Sequence, residues 1–471
     1  MDERTMEAGF SELKKHLSND TLLFQQETLE YYSHDETEDL RFLPQAVAKP
    51  ATVEEVSTIL RICNEHRIPV TPMGARTGLS GGALPVCGGV ALSMERFDKI
   101  LNIDTFNQQV LVEPGVITQV LQEEVQKQGL YYAPDPASRG SCFIGGNIAE
   151  NSGGPRAVKY GVTKDWVLNL EVVLPNGEVI WTGANTLKNS TGYNMTQLIV
   201  GSEGTLGVVT KAVLKLIPYP KYNLLMLAPF TSAGKACEAV SAIFRAGVTP
   251  SALEFMEQDA ISITSAFIGE RPFDFGDTYA AHLLIEVDGQ DMDGLMKECE
   301  VITEVLEGYE CGEILFAESQ SQKDKLWMLR RKVGEAVKTT SVYKEEDTVV
   351  PRYHLPELLA GVKEIGKEFG FRSVCYGHAG DGNLHINILR DGLSDEFWNY
   401  KLKEAITRIF LLTKKLGGTI SGEHGIGWVQ KEYMSLIFKD SELDLMRGIK
   451  SLFDPNDILN PSKMFPKMGK L

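Results

Sequence analysis

Apolar side chains recur along this chain with two periods. From Thr52, the stretch TVEEVSTILRICNEH places Val56, Ile59, Leu60 and Cys63 on one helical face, behind a threonine cap with Glu55 three residues on. That pattern predicts a capped amphipathic helix. Short β-rich runs follow at IPVTP, VALSM, QVLVEPG, LNLEVVLPNGEVIWTG and LGVVTKAVLKLIP, and Asn176-Gly177 inside the fourth run predicts a hairpin. After Ile217 the Pro-punctuated PYPKYN marks a domain boundary. Beyond it, helical patterns (SAGKACEAVSAIFRAG, GLMKECEVITEVLEG) alternate with strand patterns (YAAHLLIEV, GEILFA), which predicts a second, α+β core. From about Ser421 the chain carries helical segments and closes on FDPNDILNPSKMF, whose Pro and Asn suit turns. No internal repeat stands out.

Composition narrows the class. The chain has 471 residues, more than one core usually serves, so two or three domains are expected. With 43% hydrophobic and 24% charged residues it is an ordinary folding chain, which excludes disordered and fibrous classes. A net charge of −17 argues against nucleic acid as a partner, because a phosphate-tracking surface needs excess Lys and Arg. The 7 cysteines include no Cys-x-x-Cys pair, which predicts reduced thiols in the cytoplasm and no iron–sulfur cluster within the chain. The acidic MDERTMEAGF lacks the basic start of a secretory signal, and no run reaches the ~18 apolar residues of a transmembrane segment. A soluble cytoplasmic protein is the expectation, with peripheral docking on a membrane partner left open.

Glycine is in excess, with 44 residues, and much of the excess sits in three loops. These are PMGARTGLSGG from Pro72, PDPASRGSCFIGGNIAENSGGPRAVKYG from Pro134, and GSEGTLG from Gly201. Glycines let backbone N–H groups approach a pyrophosphate, and Arg76 adds a positive charge beside the first loop. The loops match neither the Rossmann fingerprint nor a Walker loop. One such loop would be a set of tight turns; three in one domain favour a large phosphate-bearing cofactor.

The C-terminal half holds a different chemistry. In GHAGDGNLHIN a hairpin turning at Asp381 and Gly382 brings His378 and His385 near one another, with Asn387 on the same face as His385. SGEHGIG adds Glu423 beside His424. A single histidine is more often a packing residue than a ligand, but 3 of only 8 histidines fall in these two motifs. The pattern weighs toward a divalent metal, with zinc, manganese and iron all suited to two imidazoles and a carboxylate. In SQKDKLWMLRRKVGEAVK, Leu326, Leu329, Val333 and Val337 form one helical stripe, and Arg330 falls inside it. An arginine there needs a buried anion, either a structural carboxylate or a ligand.

These motifs carry a family resemblance. TPMGARTGLSGGALP, YYAPDPAS with IGGNIAENSGGPRAVKYG, and TGYNMTQLIVGSEGTLG resemble the FAD-binding domain of the vanillyl-alcohol-oxidase and p-cresol-methylhydroxylase superfamily. GHAGDGNLH and SGEHGIG resemble the C-terminal domain of FAD-linked oxidases, the group that includes glycolate oxidases and D-lactate dehydrogenases. The resemblance implies an α+β fold, with a two-subdomain FAD-binding domain of the p-cresol-methylhydroxylase type over residues 1–220. An α+β substrate (cap) domain with an antiparallel sheet and the metal site follows over 221–420, and 421–471 returns to the FAD domain.

Cofactor roles also follow from the resemblance. The first loop, through Pro72, Gly74, Ala75, Arg76, Thr77, Gly78, Ser80 and Gly81, would cradle the pyrophosphate. From the second loop Pro134, Asp135, Ser141, Gly146, Asn147, Ser152, Gly154, Tyr160 and Gly161 would line the nucleotide, with Glu203 and Gly204 from the third. Asn460 would return near the flavin. The first loop has no histidine, so the FAD is expected to be non-covalent. His378, His385 and Glu423 would hold the metal, and Arg330, Asn387 and His424 would form the catalytic set.

The implied activity is oxidation of a small 2-hydroxy acid, D-lactate or glycolate. Arg330 would clamp the carboxylate and His424 would take the hydroxyl proton. The hydride would pass to flavin, and the electrons to an external acceptor: an electron-transferring flavoprotein, an iron–sulfur subunit or a quinone. A homo- or hetero-oligomer fits such electron traffic. Relatives acting on D-2-hydroxyglutarate carry a Thr and a Lys where this chain has Gly334 and Glu345, which favours a monocarboxylate. The alternatives are a D-2-hydroxyglutarate dehydrogenase, a non-redox flavoenzyme like alkylglycerone-phosphate synthase, and an electron-transfer subunit with little substrate chemistry.

Overall fold

Thr52 caps the helix Val53–Glu65, its hydroxyl accepting the Glu55 N–H at 3.2 Å. Val56, Ile59, Leu60 and Cys63 are buried on one face of that helix, as their spacing requires. Burial of each large aliphatic side chain contributes about 1.5–3 kcal/mol. The computed structural model describes residues 3–37, 40–274 and 278–467. Contacts group the chain into two units, one of residues 1–153, 161–219 and 423–471, the other of residues 154–160 and 220–422.

The first unit holds two main sheets. In the four-stranded sheet the order is Leu22–Leu23, Ala46–Ala48, Val90–Ser93, Val70–Met73, and the last three strands run parallel. The helix Val53–Glu65 packs into the core behind this sheet with Ile68, Val70, Val90 and Leu92. The closing segment returns here: Val70 donates to the Ile458 carbonyl at 2.7 Å, and Asn460 N donates back to Val70 O at 2.9 Å. The five-stranded antiparallel sheet runs Ile100–Asp104, Gln109–Val112, Val208–Lys215, Val167–Val173, Val179–Trp181. Its Val167–Val173/Val179–Trp181 hairpin turns where Asn176-Gly177 predicts one. Only Gly177 is left-handed, at φ +86°, so Pro175 and Asn176 make the corner and Gly177 the following bulge.

The second unit is built on a seven-stranded antiparallel sheet. Its order is Leu315–Phe316, Tyr222–Phe230, Ala281–Gly289, Ala252–Glu257, Arg372–Gly377, Asn383–Leu389, Tyr343–Val349. The helices Ala233–Arg245, Met292–Glu307 and Leu355–Phe369 carry the 3.6-residue apolar period, the first two capped by Ser232 and Asp291. Residues 154–160 join this unit through ion pairs, Arg156 to Glu286 at 2.9 Å and Lys159 to Asp288 at 2.7 Å. The helical run around Arg330 differs from the single helix its pattern predicts. It is two helices, Gln320–Arg331 and Val333–Thr340, broken at Lys332 (ψ 1°), with Gly334 in the first turn of the second. Leu326, Leu329, Val333 and Val337 are buried across the break, and so is Arg330. The expected mixture of a two-sheet flavin domain and an antiparallel α+β domain is the observed architecture.

Candidate functional site

The first unit contains a long cleft of about 1420 Å³ counted to its open mouth. Its lining draws on all three glycine loops, whose backbone can approach an extended dinucleotide closely. The strand Val70–Met73 delivers the chain into it, and the lining continues through Gly74, Ala75, Arg76, Thr77 and Gly78. Opposite stands the helix Ile144–Glu150, with Gly146 and Asn147 on the wall. A Cβ on Gly145 would lie 2.6 Å from Pro114, so this helix start needs glycine to sit where it does. Ser152, Glu203, Gly204 and Asn460 complete the expected residues that line the cleft.

Not every lining side chain is turned to the cleft. The Arg76 guanidinium stacks on Tyr31 and Tyr32, at 4.2 and 4.6 Å from their ring centres, and donates to Tyr31 O. The Asn147 amide donates to Thr118 Oγ1 at 2.6 Å. The Glu203 carboxylate accepts from Ile426 N at 2.8 Å and Gly427 N at 2.6 Å, which clamps the loop that follows Glu423 and His424. Both of those residues line the cleft. Burial pushes Glu203 above the usual carboxylate range against the two N–H groups. Burial, then the Glu203 charge, pushes Glu150 well above it. Lys463, donating to Gly82 O at 2.7 Å and Asn460 Oδ1 at 2.9 Å, is lowered by burial to about 7.

In the second unit, register assembles a buried polar face. Tyr376 pairs with His385 and His385 with Asp347, while Asn387 pairs with Glu345. Side chains alternate along strands, so these residues, with His378 and Glu254, share one side of four neighbouring strands. The turn after His378 needs Gly382, at φ +76°, because a Cβ there would lie 1.9 Å from Val350 O. It brings the His378 and His385 rings to 5.4 Å, edge to face. His378 Nδ1 lies 2.8 and 2.9 Å from the two Glu254 oxygens. His385 Nδ1 lies 3.5 Å from Asp347 and 3.7 Å from Glu345.

Arg330 reaches the same face. Its Nη2 is 2.6 Å from Glu254 Oε2, and its guanidinium sits 5.1 Å from the Tyr376 ring centre. Among the described residues, Arg330 Nε and both amide atoms of Asn387 meet no partner at hydrogen-bond geometry. The Tyr376 hydroxyl is 3.5 Å from Glu345, and burial, then that carboxylate, pushes its pKa well up. The phenol is therefore a neutral donor.

Residues 44–183 match the FAD binding domain, and residues 219–464 match the C-terminal domain of FAD linked oxidases. The chain belongs to the FAD-linked oxidase family. It is 37% identical over 459 residues to D-lactate dehydrogenase of Anaerostipes hadrus, covering 96% of each chain. To glycolate oxidase subunit GlcD of Bacillus subtilis it is 38% identical over 439 residues, covering 93% of this chain and 92% of the relative. Among solved structures, p-cresol methylhydroxylase with substrate bound superposes with a TM-score of 0.82 at 18% identity, over 100% of this chain and 99% of the other. That likeness concerns the fold.

In this FAD-linked oxidase several residues expected near the nucleotide lie off the cleft lining. Ser80 O accepts from Trp428 N and Val429 N, Asp135 accepts from Arg139 at 3.2 Å, and the Ser141 hydroxyl donates to Ser138 O. Gly161, at φ +80°, packs against Asp165, and neither Gly81 nor Pro134 is among the lining residues. Gly154 and Tyr160 belong to the second unit, where the Tyr160 hydroxyl donates to Asp288 at 2.7 Å. His378, His385, Asn387 and Arg330 come together in that unit, and Glu423 and His424 fall in the first. Sequence reasoning missed Glu254, Asp347 and Tyr376 on the polar face and Glu150 in the cleft. Acids inside the β-rich ALEFME and EEDTVV were the available signal.

Among the described residues no helix is long and apolar enough to cross a membrane.

Proposed function

We propose that this chain is a cytoplasmic FAD-dependent D-2-hydroxy acid dehydrogenase that converts D-lactate or glycolate to the 2-oxo acid and passes electrons to an external acceptor. The observation that carries the reading is the buried Arg330, whose Nε meets no hydrogen-bond partner among the described residues and which shares its face with two imidazoles and the Asn387 amide. A guanidinium in that state suits bidentate capture of a carboxylate. Relatives named D-lactate dehydrogenase and glycolate oxidase subunit GlcD support a small hydroxy acid as its owner.

His378, His385 and Glu423 are the residues that would hold a zinc, manganese or iron ion, and their chemistry fits one. Glu254 occupies His378 Nδ1, making Nε2 the nitrogen for a ligand. Three carboxylates, the buried Glu254 and Asp347 and the partly buried Glu345, face one guanidinium on this sheet, so the face is short of positive charge. Asp347 also accepts from Gly422 N at 2.8 Å, one residue before Glu423 in the chain.

A metal held there would supply Lewis acidity toward the substrate hydroxyl, and non-covalent FAD in the cleft would supply the hydride acceptor. Arg330 binds the carboxylate, with its plane held over Tyr376. Asn387, buried on the same face as His385, orients the substrate through its amide. His424 takes the hydroxyl proton, a general-base task suited to an imidazole. Glu345, with no Lys or Arg ion pair among the described residues, sets a negative charge beside the anchor and disfavours a second carboxylate.

Anaerobic mixing of the flavin-loaded protein with D-lactate, glycolate and D-2-hydroxyglutarate, with and without chelator, tests the reading. D-lactate or glycolate should bleach the flavin and the chelator should slow it. Bleaching by D-2-hydroxyglutarate alone moves the substrate to the dicarboxylate, and bleaching by none of the three overturns the reading.

A further inference from the structure

Glu254 is the most deeply buried charge on the polar face, with its side chain at 0% exposure. It lies in the strand Ala252–Glu257, away from every motif that marks the site in the sequence. Its carboxylate meets two groups with different tasks. Both oxygens reach His378 Nδ1, at 2.8 and 2.9 Å, and Oε2 also reaches Arg330 Nη2 at 2.6 Å. A bridge serving only to neutralise Arg330 would leave the histidine to another acceptor. Here one carboxylate serves both.

Two consequences follow from elementary chemistry. A carboxylate accepting from an imidazole requires the proton on Nδ1, which leaves the lone pair on Nε2 and fixes the ring plane. A buried guanidinium also needs a counter-charge to stay where it is. Glu254 supplies that charge and leaves Nε open to a ligand.

We propose that Glu254 is a positioning residue that sets the tautomer of His378 for metal binding and fixes the orientation of Arg330 for the substrate carboxylate. The proposal rests on the dehydrogenase reading, yet its test does not need turnover. Zn²⁺ affinity of the full chain with FAD is measured by titration from a metal-buffered solution for wild type, Glu254→Gln and Glu254→Asp. Outer carboxylates of this kind typically govern metal affinity by about 10- to 100-fold. Glu254→Gln should lose that much, and Glu254→Asp should retain part of it. In ¹⁵N-histidine spectra of the metal-free protein, the His378 signal should lose its preference for the Nδ1-protonated form in Glu254→Gln alone.

Removing the charge leaves Arg330 buried and unpaired, so Glu254→Gln/Arg330→Met is the companion variant, made neutral on both sides. It should fold and still bind Zn²⁺ about 10- to 100-fold more weakly than wild type. Zn²⁺ affinity within about twofold of wild type in either Gln variant overturns the proposal, and so does a wild type that binds no Zn²⁺. Normal Zn²⁺ binding and its loss in the variants, with no 2-hydroxy acid bleaching the flavin, overturns the dehydrogenase reading and leaves Glu254 in its role.

Discussion

Asp347 Oδ2 accepts the backbone N–H of Gly422 at 2.8 Å, tying the last strand of the second unit's sheet to the residue that precedes Glu423. Its other oxygen accepts from Asn383 Nδ2 at 2.7 Å, and Ser421 Oγ adds a 3.2 Å contact. Three donors therefore converge on one carboxylate. In Asp347→Asn the amide NH₂ must face a donor on one side. That should cost about 1–3 kcal/mol of stability, as a buried unmet donor usually does. Urea denaturation reads the loss. Flavin reduction by D-lactate should slow at least about tenfold, equivalent to ~1.4 kcal/mol in the barrier. FAD content should stay normal because the cleft lies in the first unit.

Arg330→Lys keeps the charge and removes the fork. Lysine offers a point charge that cannot present two parallel N–H groups to a carboxylate. A lost charge-assisted hydrogen bond is worth about 1.5–3 kcal/mol, so kcat/KM for D-lactate should fall roughly 10- to 100-fold. An unchanged kcat/KM would show that this arginine holds only Glu254.

Much of this arrangement is legible in the chain because it depends on short-range pattern. The Thr52 cap, the Gly177 turn and the His378/His385 pairing each follow from residues within about ten positions of one another. Arg330 is legible as buried, since a charge inside an apolar stripe has nowhere else to go. Its partner is not: Glu254 lies far earlier in the chain, in a strand two places from the His385 strand, and only sheet order brings it in. The same holds for residues 154–160. They read as part of a glycine loop of the first unit, yet the ion pairs of Arg156 with Glu286 and Lys159 with Asp288 make them part of the second. Alternating strands reveal which side a residue faces and say nothing of which strand lies beside it.

Gly382→Ala tests the turn between the two histidines. The left-handed backbone at φ +76° costs an alanine about 1–2 kcal/mol, and its Cβ would lie 1.9 Å from the Val350 carbonyl. Gly370 is the control, with φ +80° and no heavy atom within 4 Å of a Cβ. Both alanine variants should melt below wild type, and Gly382→Ala further below. Only Gly382→Ala should also impair flavin reduction, since it moves the segment that sets the spacing of His378 and His385.

His282 gives the second unit an acid sensitivity. It is fully buried in the strand Ala281–Gly289, with Phe273 at 5.3 Å and Tyr279 at 6.2 Å between ring centres. Burial, and then the charge of Arg271, lowers its pKa from 6.5 to about 4. Between those values the unfolded chain binds a proton that the folded chain refuses, so stability is present above pH ~6.5 and lost as pH falls toward about 4. At ~1.4 kcal/mol per pKa unit the loss is about 3 kcal/mol. In His282→Phe the ring packing against Phe273 is kept and the titration is removed. Urea midpoints of the variant should therefore fall less steeply than wild type between about pH 6.5 and 4, and the two should run parallel above pH ~7. Parallel curves across the acid range would mean that another group sets this unit's response to acid.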